Sequence, residues 1–389
     1  MKAKTLILLT TALSLVITKP AFSGTITGDN LKIGTSTGAS HDLSGTATSI
    51  AAGDANKNSG NYSLVGGGQY NTNSGIASFI GGGGLNVISS DTSVIGGGAA
   101  NKISGISCFI GGGEGNHVTL DIGGGGASVV GGFDNIVTGE GSSIVGGYGN
   151  HVETGSSFIG AGDQNEIELS GQYSVIGGGS QNYIQTNYSV IGGGQYNMSD
   201  AGFYGVIGSG YQNTNSAAFG VIGGGQRNRA TGSYSTIPGG WLAHARSYGQ
   251  VAHASGSFDA GVIGQAQASE YVLRGVTTNS TPTELFLDNV AARMTVTSGQ
   301  SWTFNILVVA RSTTGGNTAG YQVSGVIENN GGTTSLVGSA SKTVFGEDVA
   351  AWDITVSADD TNDALVIKAT GDNSTIRWVA TVRTAEVAL

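Results

Sequence analysis

The chain has 389 residues, 70 of them glycine, with 11 % charged residues and only three prolines. Collagen needs Gly at every third position and abundant Pro, and a disordered linker lacks apolar residues, whereas 38 % of this chain is hydrophobic; both are excluded. A single cysteine, Cys108, excludes a disulfide framework, and a net charge of −10 excludes binding to nucleic acid or anionic lipid through bulk electrostatics.

Residues 1–23 read as a secretory signal. Lys2 and Lys4 precede a mainly apolar stretch, Thr5–Thr18, and Ala21-Phe22-Ser23 supplies small residues before Gly24. The stretch is too short for a membrane span, so a secreted or cell-surface protein without membrane insertion is expected. Residues 24–58 are rich in Ser, Thr and Gly and read as a leading cap or degenerate coils.

Residues 59–265 carry a repeat. A β-branched anchor recurs at Val65, Ile80, Ile95, Ile110, Val130, Val145, Ile159, Ile176, Ile191, Ile207, Ile222 and Ile237, mostly at intervals of 15. That period cannot hold a helix pair and suits one coil of a parallel β-solenoid, or β-roll. The longest interval, across Asp121–Gly126, reads as a loop inserted in one coil. The unit is Ser-aliphatic-Ile-Gly-Gly-Gly-x-x-Asn. The Gly run suits a tight corner where chains approach closely.

An Asn follows every anchor but the last, at positions 71, 86, 101, 116, 135, 150, 165, 182, 197, 213 and 228. Asn71, Asn86, Asn101, Asn116, Asn135, Asn150, Asn165, Asn182, Asn197, Asn213 and Asn228 are expected to form a structural amide ladder between coils; the functional alternative is a ligand-binding column on the surface. The residue before the anchor is apolar in all coils but one, so both faces of that strand need cover. Sister chains are the simplest cover, and a homotrimer is expected.

The chemistry in the repeats is sparse. The Gly runs lack the Lys-Ser/Thr of a phosphate loop, and a calcium nonapeptide repeat would need a period of nine and Asp in place of Asn. Thr forms no regular column of the kind that binds ice. Cys108 occupies a Ser column and reads as a packed residue. His41, His117, His151, His244 and His253 have no helical or Cys partner, so no metal site and no cofactor is expected. Glu166 and Glu168 share one strand face, and paired carboxylates of that kind serve glycosidases; no third acid is expected in register with them.

Residues 266–389 read as a β-sandwich of jelly-roll type. Trp302, Trp352 and Trp378 have core parity, and Asp359, Asp360 and Asp363 cluster in one loop, as a solvated turn or, alternatively, a Ca²⁺ site.

Two resemblances follow from these residues. The coils Ser93–Asn101, Ser174–Asn182 and Ser189–Asn197 resemble the YadA-like head repeats of trimeric autotransporter adhesins. That resemblance implies a trimeric left-handed β-roll binding a host surface molecule. The stretches Ala252–Gly256, Tyr271–Gly275, Thr281–Asp288 and Ile376–Thr384 resemble the C-terminal module of tailed-phage tail-fibre proteins. The autotransporter stalk and outer-membrane barrel find no counterpart in this sequence. The reading that reconciles these features is a secreted, non-catalytic adhesin-like protein recognising a cell-surface glycan or protein receptor. A phage tail-fibre or tailspike component is the alternative, and a polysaccharide depolymerase on a β-helix the second.

Overall fold

The computed structural model describes residues 31–32 (by backbone), 41–120 and 124–389. The signal expected at 1–23 lies outside the described residues, as do 24–30 and 33–40 of the leading segment and 121–123 of the insertion. The described chain is all-β, with about 14 turns of parallel β-solenoid and a C-terminal sheet region. It divides into two units, Met1–Asn150 and His151–Leu389.

Each coil contributes two strands of two residues. In the first unit Leu64–Val65, Phe79–Ile80, Val94–Ile95 and Phe109–Ile110 stack in parallel, with Val65 opposite Ile80 and Ile80 opposite Ile95. A second stack forms from Thr72–Asn73, Val87–Ile88, Lys102–Ile103 and His117–Val118. Adjacent strand residues point to opposite sides, so the second residue of each strand is buried and the first faces out. Val65, Ile80, Ile95 and Ile110 are fully buried in this way. Their outward neighbours Leu64, Phe79 and Phe109 stay substantially exposed.

Two expected anchors are corrected. Val130 and Val145 are 51 % and 44 % exposed, and the buried residues are Val129 and Ile144 instead. Pairing sets Ile110 opposite Val129, and Val129 opposite Ile144. The reason is that these coils carry only two glycines, with a Val in the place of the first. Counting from the Gly run slips the register by one, whereas counting six residues back from the Asn does not.

The second unit repeats the plan from Phe158–Ile159 through Thr236–Ile237, paired in the same register. Its last coil hands over to Val251–Ser255, which pairs in parallel with Thr236 and antiparallel with Ala266–Thr277. The long strands then run side by side in the order Ala266–Thr277, Ile376–Ala388, Gln300–Ser312 and Thr318–Asn330. A smaller antiparallel sheet centres on Ala364–Thr370, flanked by Thr283–Glu284, Met294–Thr295 and Asp353–Asp359. Both sheets supply one core, in which Trp302, Trp352 and Trp378 are buried with Tyr271, Tyr321, Phe304, Ile354 and Ile367. The indole N–H groups of Trp378 and Trp352 donate to Thr277 Oγ1 at 2.9 Å and Asp372 Oδ2 at 3.0 Å.

Where the coils meet this region, charge is buried with its partners. Glu386 is 5 % exposed and accepts from Gln267 Nε2, Tyr271 OH and Thr384 Oγ1 at 2.8, 3.0 and 2.7 Å. His244 lies in the adjoining last coil. Burial, with Arg246 and Arg229 nearby, pushes its pKa down to about 3. Its Nδ1 accepts from Arg246 Nε at 2.9 Å, which requires the neutral ring. Because the folded-state value lies below the unfolded one, the unfolded chain binds the extra proton between about pH 6.5 and pH 3, and stability falls as pH drops through that window. At pH 5 the expected loss is about 2 kcal/mol. Comparing urea midpoints at pH 7 and pH 5 checks this, and His244→Asn is expected to flatten the difference.

Candidate functional site

The expected Asn ladder residues all lie inside the coils, at 0 % exposure except Asn228 at 1 %. In the first unit Asn86 Nδ2 donates to Asn71 Oδ1 at 3.1 Å and to the Gly82 and Gly98 carbonyls at 2.9 Å each, and Asn101 N donates to Asn86 Oδ1. In the second, Asn197 Nδ2 donates to Asn182 Oδ1, Gly193 O and Gly210 O. Asn56, in the leading segment ahead of the first expected rung, bonds Asn71 in the same manner. Complete burial leaves no surface for a ligand at these positions, and the amides bond one another and the backbone of adjoining coils.

Cys108 sits in the Ser column, its Sγ 3.3 Å from the Ile106 carbonyl, and burial pushes its thiol pKa up. A raised thiol is a poor nucleophile at neutral pH. The carboxylates of the Asp359 loop are spent on protein donors. Asp359 accepts from Thr361 N and from Asn362, Asp360 from Thr334 N, and Asp363 from Asn329 Nδ2 and Thr334 Oγ1. This is the hydrogen bonding of a braced turn, and it leaves little for Ca²⁺.

Two surface features of the second unit carry recognisable chemistry. The first is a column of rings. Tyr173, Tyr188, Tyr204, Phe219 and Tyr234 occupy the same corner of successive coils, with centroids 5.1, 4.8, 5.0 and 4.8 Å apart and planes within 12° of parallel. All five have positive φ, between 57° and 61°. Side chains avoid that region, at a cost on the order of 1 kcal/mol each. The same corner holds Ala47, Ala77, Thr92, Ser107 and Ser156 in other coils, so the turn itself does not demand an aromatic ring. Ring stacking offsets part of the strain. The rings nonetheless remain about half exposed, and among the described residues none of the four phenol oxygens has a protein partner.

The second feature is a polar cluster on the strand that precedes this corner. His151 and Glu153 face outward on either side of buried Val152, and Glu166 lies directly opposite His151 in the next coil. His151 Nδ1 is 3.8 Å from Glu153 Oε1 and 3.6 Å from Glu166 Oε1. Glu168 accepts from Gln185 Nε2 at 3.0 Å, and burial with the neighbouring Glu168 raises the Tyr183 pKa. One expectation is corrected by this cluster: a third acid, Glu153, does stand beside Glu166. His151 has carboxylate neighbours, whereas the sequence is read only for helical His and Cys partners. A search for helical spacing misses them, since the solenoid brings together residues 15 apart.

No family model and no curated protein matches this chain. Among solved structures it is similar to the tailspike protein gp49 of Acinetobacter baumannii bacteriophage Fri1, described as a capsular polysaccharide depolymerase, at 8 % identity and a TM-score of 0.22 over 88 % of this chain and 80 % of that one. It is also similar to the tailspike protein of A. baumannii phage AM24, at 9 % and 0.23 over 92 % and 77 %. A third is that of Acinetobacter phage vB_ApiP_P1, at 10 % and 0.23 over 92 % and 81 %. All three are tailspikes, and none is an autotransporter adhesin. Because one of these neighbours is described as a capsular polysaccharide depolymerase, the expectation of a non-catalytic protein is withdrawn. TM-scores this low carry no activity across to this chain.

Proposed function

We propose that this protein is a receptor-binding protein of the tailspike kind, recognising a repetitive cell-surface polysaccharide outside the cell or on a phage particle. The observation that carries the reading is the ring column from Tyr173 to Tyr234. It presents one exposed aromatic edge or phenol per coil, at centroid spacings of 4.8 to 5.1 Å. A glycan made of repeated units meets such a strip with one weak contact per rung, and the contacts sum along its length. The choice of residue supports a binding role, since Ala, Thr or Ser fills the same positive-φ corner in other coils and the turn does not demand a ring.

The protein acts as a homotrimer in this reading. Support comes from apolar side chains facing out of the strands: Phe158, Val190 and Val221 on the coils of the second unit, and Val272, Leu307, Val309 and Val379 on the outer face of its long-stranded sheet. Exposed apolar patches on that scale mark contact surfaces.

The test uses the purified chain against a panel of bacterial capsular polysaccharides, with immobilised polymer and light scattering run in parallel. A polysaccharide bound by the wild type is expected to bind about tenfold more weakly for each ring removed in Tyr188→Ala and Tyr204→Ala, about 1.4 kcal/mol apiece. Binding unchanged in the double variant overturns the strip as the site, and a monodisperse monomer overturns the trimer. Assaying the same mixtures for reducing ends decides whether cleavage follows binding.

A further inference from the structure

We propose that His151, Glu153 and Glu166 form a site for one divalent first-row transition-metal ion, a reading independent of polysaccharide recognition. The backbone places the three ligands before any ion is present. His151 and Glu153 alternate outward around Val152, and parallel pairing sets Glu166 beside His151. One imidazole nitrogen and two carboxylate oxygens thereby lie within 4.8 Å of one another, with two of the separations at 3.6 and 3.8 Å. An ion holding ligands at about 2.0 to 2.1 Å in tetrahedral geometry sets them roughly 3.4 Å apart, so small side-chain rotations close the shell.

The charges point the same way. Two carboxylates share the patch with an imidazole, and among the described residues no Lys or Arg is ion-paired with either of them. A dication relieves that repulsion, and coordination through Nδ1 needs the imidazole unprotonated there. Glu168 is turned to Gln185 and stands outside the set. The side chains remain 27 %, 33 % and 40 % exposed, which leaves room for water in the remaining positions. A mixed N and O donor set suits Zn²⁺ or Co²⁺, whereas Ca²⁺ asks for six to eight oxygens and finds two carboxylates. The ion would tie one coil to the next from outside, where the Asn ladder does so from within.

The experiment titrates the full chain with Zn²⁺ by calorimetry and with Co²⁺ by visible absorption. The expected result is one ion per chain and intense Co²⁺ bands of low-coordinate geometry. Affinity is expected to fall about tenfold or more in His151→Ala and in Glu166→Gln, and to be retained in His253→Ala. Both altered side chains are surface groups, and matched thermal unfolding without metal establishes that the variants fold. Absence of saturable Zn²⁺ binding overturns the proposal. So does binding that survives both substitutions, or Ca²⁺ binding as tight as Zn²⁺ binding.

Discussion

Asn182→Ala is expected to destabilise the second unit by about 4 kcal/mol, well beyond the ~1 kcal/mol of an average substitution. The amide donates to Asn165 Oδ1, Gly178 O and Gly194 O, and its Oδ1 accepts from both the backbone N and the Nδ2 of Asn197. Truncation therefore leaves the Gly178 carbonyl and the buried Asn197 N–H without their partners and takes one of two donors from the Gly194 carbonyl, which keeps Ser180 N. Asp is no remedy, since its second oxygen would face the two carbonyls. Denaturant midpoints for Asn182→Ala against the exposed control Gln195→Ala, two residues before the next rung, measure the difference. Equal midpoints would refute a stabilising role for the ladder.

A larger effect still is expected for Gly194→Ala, and almost none for its neighbour Gly193→Ala. Gly194 has φ +88°, and a Cβ there would sit 2.2 Å from the Gly210 carbonyl oxygen and 2.6 Å from its nitrogen. That backbone belongs to the next coil and cannot retreat without breaking the stack. At Gly193 the nearest atom to a new Cβ is 4.0 Å away. Left-handed strain plus overpacking sets the expected loss for Gly194→Ala at about 5 kcal/mol. Thermal unfolding of the pair reads it directly. The contrast also shows what the Gly run is for: one glycine allows the close approach of two coils, while another faces open space.

The anchor column is legible in the sequence because one buried Ile or Val recurs every coil, with its Asn six residues on. It fails only at Val130 and Val145, where a Val in place of a Gly makes the outward residue resemble the inward one. The second strand of each coil is harder to see. Its inward position holds a buried Ile or Val only from Ile88 through Ile184, while Asn58 and Asn73 before them and Ser199, Asn215 and Ala230 after them break the column. Long strands such as Gln300–Ser312 alternate over many residues, and their Trp parity can be read directly. The site residues escape for a different reason. Metal and catalytic spacings are usually sought along the chain, while in a solenoid proximity is set by the coil. Glu166 minus His151 and Glu168 minus Glu153 each give one coil, and the rings from Tyr173 to Tyr234 recur at nearly the same interval.

Val251–Ser255 is where the direction of pairing reverses, with a parallel neighbour on one side and an antiparallel one on the other. A pile of interchangeable rungs offers its open rim to any similar strand, including the rim of another molecule, and fibres grow in that manner. In this chain the rim is taken by a hairpin-like partner of opposite polarity that cannot template another rung. Polymerisation from this end is therefore blocked by the fold itself, and deleting residues 251–389 should turn a discrete particle into a seed for filaments.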